Sequence, residues 1–79
     1  MERQLKLIWD FRGPVSYQTA EHHTIHLKEY TAIENIPEIG IDSEKITDMH
    51  AIAYMVVNES DMKKVRDELK PHRGQLYQK

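Results

Sequence analysis

The chain has 79 residues, a formal charge of −2 and no cysteine. This length allows one small domain with a thin core, so residues 1–79 are taken as a single unit. The lack of cysteine excludes disulfides, thiolate zinc sites and a cysteine nucleophile. The slightly acidic balance argues against nucleic-acid binding, and the longest apolar run, 51–57, is far too short to span a membrane. Met1 leads directly into a charged, strand-like segment, which predicts no signal peptide and a soluble, cytoplasmic protein.

The first half of the chain predicts a strand followed by a helix. From Leu5 to Phe11 apolar residues alternate, which is the period of a half-buried strand. The Gly-Pro pair after Arg12 ends this strand. From Ser16 to Thr31 the apolar spacing changes to three and four, which is typical of a helix. The predicted buried stripe of this helix contains Tyr17, Ala20, Thr24, Leu27 and Thr31.

The second half predicts two strands, a helix and a last strand. Residues 39–47 favour a polar edge strand, and 51–57 is the clearest strand of the chain. A helix capped at Asn58 or Ser60 follows and ends before a proline. Residues 74–78 form the last strand. This βαββαβ order predicts an α+β, ferredoxin-like fold, with a four-stranded antiparallel sheet and two helices on one face.

The central strand 51–57 is apolar on both faces, which points to a partner. Its two sets of residues are Ala51, Ala53, Met55 and Val57, and Ile52, Tyr54 and Val56. Because the helices cover only one face of the sheet, the other face requires a second cover. A second copy of the chain, packed sheet against sheet, would provide this cover. The pattern therefore predicts a homodimer through the open sheet face. The alternative is a monomer, in which the small alanines expose little area.

Three segments of the chain together resemble the small dimeric α+β-barrel proteins. They are LIWDFRG near the start, HAIAYMVV past the middle and the loop after Pro71 that leads into a short strand. The resemblance implies the ferredoxin-like fold and a homodimer. That superfamily contains enzymes, ligand-binding regulators and uncharacterised single-domain proteins, so the resemblance leaves the function open.

The predicted topology brings three loops to one end of the sheet. The charged and histidine residues of these loops are Asp10, Arg12, Asp48, His50, His72 and Arg73. We expect Arg12, His50, His72 and Arg73 to bind a small anionic ligand, beside the N-terminus of the first helix. The alternative is that the two aspartates pair with the arginines and only close the loops. No nucleophile elbow or glycine-rich phosphate loop occurs, so catalytic residues stay unknown, and a small enzyme of the α+β-barrel type remains an alternative.

Three of the five histidines lie within residues 22–26. On a helix, His22 and His26 share a face, and Glu29 follows three residues later, so the three side chains form a candidate site for zinc or another divalent transition metal. The competing interpretation is a solvated helix face and no cofactor, since this face lies opposite the apolar stripe. His23 lies at the edge of the buried face, where a hydrogen-bonded packing role is expected.

Overall fold

The computed structural model describes residues 3–77 and confirms the predicted α+β, ferredoxin-like order. The elements are β1 (Gln4–Arg12), α1 (Ser16–Glu34), β2 (Gly40–Thr47), β3 (His50–Asn58), α2 (Glu59–Leu69) and β4 (Arg73–Tyr77). The strands form one antiparallel sheet in the order β2-β3-β1-β4. The two strands with the most apolar sequences, β1 and β3, are therefore central. The last strand was predicted to reach Gln78, which lies outside the described residues.

Helix α1 begins at Ser16 as predicted, and differs from its prediction at its C-terminal end and in its buried stripe. It continues beyond Thr31 to Glu34, and the capping residue Asn35 adopts a left-handed conformation with φ of 56° and donates its backbone N–H to the Thr31 carbonyl. Asparagine tolerates this conformation, so it can end a helix in place of glycine. At the start of the helix, Ser16 is 2% exposed whereas Tyr17 is 38% exposed. The buried stripe thus begins one residue earlier than the apolar spacing indicated.

The helices and one face of the sheet enclose the core. Alternation along β1 and β3 places their odd-numbered residues on the helix side, as expected for period-two strands. The buried members of this core are Leu7, Trp9, Ala20, Leu27, Ile36, Ala51, Ala53, Met55, Val57 and Val65. The indole Nε1 of Trp9 donates to the Leu69 carbonyl at the end of α2, at 3.1 Å. This bond gives the largest core side chain a partner for its polar atom.

Polar contacts join the two helices outside the core. The Tyr30 hydroxyl donates to Glu68 Oε1 at 2.5 Å, and Lys64 Nζ lies 2.7 Å from Glu34 Oε1. Burial and the bond to Glu68 both raise the pKa of Tyr30. Each contact joins α1 to α2, so the two helices are fixed to each other as well as to the sheet.

The other face of the sheet, which we call the open face, carries the even-numbered residues of β1 and β3. Its three aliphatic side chains, Ile8, Ile52 and Val56, are only 2%, 4% and 1% exposed. In the strand register Ile8 and Ile52 lie between polar or aromatic residues, whereas Val56 lies between Lys6 and Gly40. Lys6 Nζ in turn lies 4.2 Å from the ring centroid of Tyr54. The aliphatic centre of the open face is therefore covered by its own rim of longer side chains.

Candidate functional site

The three loops predicted to meet at one end of the sheet do so. The backbone N–H of Gly13, which follows β1, donates to the Met49 carbonyl in the β2–β3 turn at 2.8 Å. The backbone N–H of His72, which precedes β4, donates to the Ile8 carbonyl at 2.9 Å. Gly13 has φ of +112°, a conformation that residues with a Cβ rarely adopt. The glycine after Arg12 therefore serves the turn that brings the loops together.

Asp10 is the centre of this end of the sheet. Its Oδ1 accepts a hydrogen bond from His50 Nε2 at 2.9 Å. Arg73 donates Nε to Oδ2 at 3.0 Å and Nη2 to Oδ1 at 3.1 Å, so the guanidinium forms a bidentate pair. The three side chains come from β1, β3 and β4 and share the open face. Together with Arg12 and His72 they form what we call the loop-end cluster.

The Asp10 carboxylate is held in its ionised form. The hydrogen bond from Arg73 is the largest cause that lowers the pKa of Asp10, and the bond from His50 and the positive charge of Arg73 add to it. Partial burial acts in the opposite direction and is outweighed. Because an ionised carboxylate only accepts hydrogen bonds, His50 Nε2 must carry the proton that lies between them. The Nδ1 atom of His50 therefore points away from the pair.

His72 supports the cluster through the backbone. Its Nδ1 accepts the backbone N–H of Asp10 at 2.8 Å. An accepting Nδ1 is unprotonated, so a neutral His72 carries its proton on Nε2. Asp10 is thus fixed through its side chain by His50 and Arg73, and through its backbone by His72.

Arg12 stands opposite His50 in the β1–β3 register and shares the open face with it. Directly opposed residues on neighbouring antiparallel strands have Cβ atoms about 5 Å apart. Arg12 is exposed, whereas the His50 side chain is 17% exposed. The cluster therefore presents one solvated guanidinium next to a mostly buried imidazole.

The structure places Asp48 and the four predicted ligand residues differently at this end of the sheet. Asp48 does not join the cluster: its side chain is 95% exposed and lies 3.4 Å from Lys45 Nζ. The four predicted ligand residues do lie at one end, but three of them contact Asp10: His50 and Arg73 bind its carboxylate, and His72 accepts its backbone N–H. The alternation of β1 places Asp10 and Arg12 on one face, and this signal could have indicated the central position of Asp10.

The candidate metal ligands lie on the outer side of α1. His22 Nε2 and His26 Nε2 are 3.1 Å apart, and Glu29 Oε1 lies 3.4 Å from His26 Nδ1. Within residues 3–77, no group of three or more histidine, aspartate or glutamate side chains is arranged to hold a metal ion. Glu29 faces the ring nitrogen of His26 that points away from His22. The three predicted ligands therefore do not converge on one point.

His23 is half-buried and lies at the edge of the buried side of α1, next to the core. Its ring centroid is 5.1 Å from that of Trp9 and 5.5 Å from that of Phe11. Its Nε2 is buried and has no hydrogen-bond partner among residues 3–77, contrary to the hydrogen-bonded packing role that was expected. Burial lowers the pKa of His23, and the positive charges of His26, His72 and His22 lower it further. His23 is a packing residue with an unsatisfied nitrogen.

Comparison of the chain with family models, curated proteins and solved structures finds no match. Among residues 3–77, no helix is long and apolar enough to cross a membrane. The functional interpretation therefore depends on the chemistry of the chain's own residues.

Proposed function

We propose that this chain is a small homodimeric binding domain that holds a carboxylate or phosphate anion at the loop-end cluster. The observation that carries the proposal is the orientation of Arg73. Its Nε and Nη2 atoms engage Asp10, so its Nη1 group lies outside the pair. A guanidinium held in this way is oriented before a ligand arrives, and its remaining donors can bind a second oxyanion at low entropic cost.

The charge of the cluster also favours an anion. Two guanidinium groups and one carboxylate give +2 − 1 = +1, with both histidines neutral. Asp10 thus cancels only one of the two arginine charges. Arg12 is exposed and adjacent to His50 in the register, so it can approach a ligand at little desolvation cost. A small oxyanion would bridge Arg12 and the outer edge of Arg73, near the imidazoles.

Binding is favoured over catalysis by the way Asp10 is shared. An aspartate that bonds a histidine can orient it as a general base. Here the same carboxylate also forms a bidentate pair with Arg73, which neutralises much of its charge. The carboxylate is therefore shared between His50 and Arg73 and does not serve the histidine alone. This arrangement suits a positively charged binding site better than a proton-transfer pair.

The second copy in the proposed homodimer covers the open face. A two-fold contact requires a surface that is complementary to itself. The open face carries acidic residues on β2, namely Asp42 and Glu44, and basic residues on β1 and β4, namely Lys6 and Arg73. Opposite charges on different strands of one face allow two copies to pair with each other. The aliphatic residues at the centre would then lie between the two sheets.

The anion proposal is tested with inorganic phosphate as the probe. We expect phosphate to shift the backbone amide resonances of the loop-end cluster in a saturable manner. Arg12→Gln should weaken this binding about tenfold, because one charge-assisted contact is lost. Arg12 is preferred to Arg73 for this test, since removal of Arg73 would also leave Asp10 without its bidentate partner.

The matched control is Arg66→Gln, which removes an arginine that lies on α2, away from the open face. It makes the same change in net charge, so it corrects for general electrostatic attraction. We expect the phosphate affinity of this variant to stay within about twofold of the wild type, because salt screens the interaction between an exposed charge and a distant site. Equal weakening by the two substitutions would contradict a specific site at the loop end.

A further inference from the structure

His22 and His26 occupy successive turns of α1 with their rings directed at each other. The ring centroids are 4.7 Å apart, the ring planes meet at 80°, and the two Nε2 atoms are 3.1 Å apart. The same nitrogen of each ring faces the gap between the rings. Both residues are exposed, so an ion from solution can reach this gap.

The distance between the two nitrogens fits a shared metal ion. Imidazole nitrogens lie about 2.0–2.1 Å from zinc, so two of them on one ion are ~2.9–3.4 Å apart at square-planar or tetrahedral angles. The observed 3.1 Å falls within this range. Because both rings stand on one helix, few rotations need to be fixed when an ion binds.

Glu29 has a supporting position with respect to this pair. Its Oε1 lies 3.4 Å from Nδ1 of His26, which is the nitrogen opposite the one that faces His22. A carboxylate at the outer nitrogen of a metal-bound imidazole fixes its tautomer and increases its basicity. In this arrangement Glu29 orients a ligand instead of binding the ion itself.

We propose that His22 and His26 bind one divalent transition-metal ion through their Nε2 atoms, with Glu29 as the positioning residue for His26. Two imidazoles select ions of borderline softness, such as zinc, nickel or copper(II), over magnesium and calcium, which prefer oxygen. Water fills the remaining coordination positions. This site lies on the outer side of α1, on the opposite side of the sheet from the loop-end cluster, so it is independent of the proposed anion site.

The rival explanation of the same geometry is a hydrogen bond between two neutral rings. In that case one Nε2 carries a proton and the other accepts it. Zinc binding separates the two explanations, because a simple hydrogen-bonded pair predicts no stoichiometric ion.

The experiment is calorimetric titration of the chelator-treated full chain with zinc chloride. We expect about one ion per chain, and at least tenfold weaker binding for His22→Gln and for His26→Gln. Both positions are exposed, so circular dichroism should show that the fold is retained. Glu29→Gln should weaken binding about threefold, which is less than the effect of an outer carboxylate at a buried site. Glu21→Gln, an equal charge change on the same helix, should leave the affinity unchanged.

A relocated pair provides the decisive variant. Gln18 is exposed and lies four residues before His22, so Gln18→His combined with His26→Gln recreates the same spacing one turn earlier. We expect this double variant to recover zinc affinity to within about threefold of the wild type, since the chelate geometry depends on helical spacing. The proposal would be overturned if the double variant did not recover the zinc affinity. It would also be overturned if the single variants bound zinc like the wild type.

Discussion

The two faces of the sheet bury their aliphatic residues by different means. On the helix side, strand residues such as Val57 pack against α1 and α2 in a continuous apolar core. On the open face, Val56 is buried to the same degree, but among residues 3–77 its neighbours in the strand register are Lys6 and Gly40, with Lys6 Nζ over the ring of Tyr54. Equal burial therefore arises from a layer of helices on one face and from neighbouring side chains of the sheet itself on the other.

The two faces also differ in how well their polar groups are hydrogen-bonded. On the open face, Asp10, His50 and Arg73 satisfy one another through hydrogen bonds. On the helix side, His23 packs against two aromatic rings, and its buried Nε2 has no hydrogen-bond partner in the described part of the chain. The open face thus contains the hydrogen-bonded polar network, and the helix side contains the unsatisfied nitrogen of His23.

The largest expected effect comes from the neighbouring valines on opposite faces. Val57→Ala should lower the free energy of unfolding by about 2–3 kcal/mol, because two buried methyl groups are lost and the rigid helix layer leaves a cavity. Val56→Ala should cost about 1 kcal/mol, since the long side chains above it can close the gap. Urea unfolding of both variants measures the difference. Equal costs would show that the rim on the open face is as rigid as the helix layer.

The same experiment at two protein concentrations tests the second copy. If a homodimer covers the open face, the unfolding midpoint of the wild type rises with protein concentration. Val56→Ala should reduce this dependence, and Val57→Ala should preserve it, because only Val56 faces the proposed interface. A midpoint that is independent of concentration for the wild type would contradict the homodimer.

The next largest effect concerns the polar network of the open face. Asp10→Asn should lower the free energy of unfolding by about 1–2 kcal/mol at neutral pH, because Arg73 and His50 lose their charged acceptor. Since the folded state lowers the pKa of Asp10, its contribution is fully present above the ordinary aspartate pKa of 3.8. The contribution declines as pH falls below about 4 and through the folded-state pKa.

Chemical unfolding of the wild type and Asp10→Asn between pH 7 and 3 measures this dependence. We expect the difference between the two proteins to be constant down to about pH 5 and to shrink below it, as the carboxylate is protonated in both states. The substitution is its own control, since all other titrating groups are common to both proteins. A difference that stays constant to pH 3 would show that the charge of Asp10 does not stabilise the fold.

The sequence predicts the fold well because period-two alternation and helical spacing are local properties. The apolar alternation of β1 and the long apolar run of β3 identified the central strands, and the Gly13-Pro14 pair identified the first turn. The weak apolar stripe of α1 was less informative, which is why Ser16 and not Tyr17 begins its buried side. A helix held mainly by small and polar residues offers little periodic signal.

The candidate site was predicted only as a set of residues at one end. Which charges pair depends on the β1–β4 register, in which Arg73 stands opposite Ile8 and therefore diagonal to Asp10. A one-residue shift would place Arg73 on the helix side, and sequence alone does not determine that shift. The turn residue Asp48 is directed toward Lys45, three residues earlier on β2, and this contact also depends on local geometry that the sequence pattern does not give. Topology can thus be predicted from pattern, whereas pairing requires the register.

The smallest expected effect is a gain in stability at His23. His23→Leu removes a buried nitrogen that has no hydrogen-bond partner, so the folded state no longer pays for its desolvation. We expect the free energy of unfolding to rise by about 1 kcal/mol, because leucine retains apolar contact with Trp9 and Phe11 while the polar atom is lost. Thermal unfolding at pH 7 measures the change, and His72→Leu is the matched comparison.

His72 accepts the Asp10 backbone N–H, so its replacement should lower stability. If both substitutions destabilise the protein equally, the imidazole of His23 contributes through a contact other than packing, and the contrast between the two faces would no longer hold.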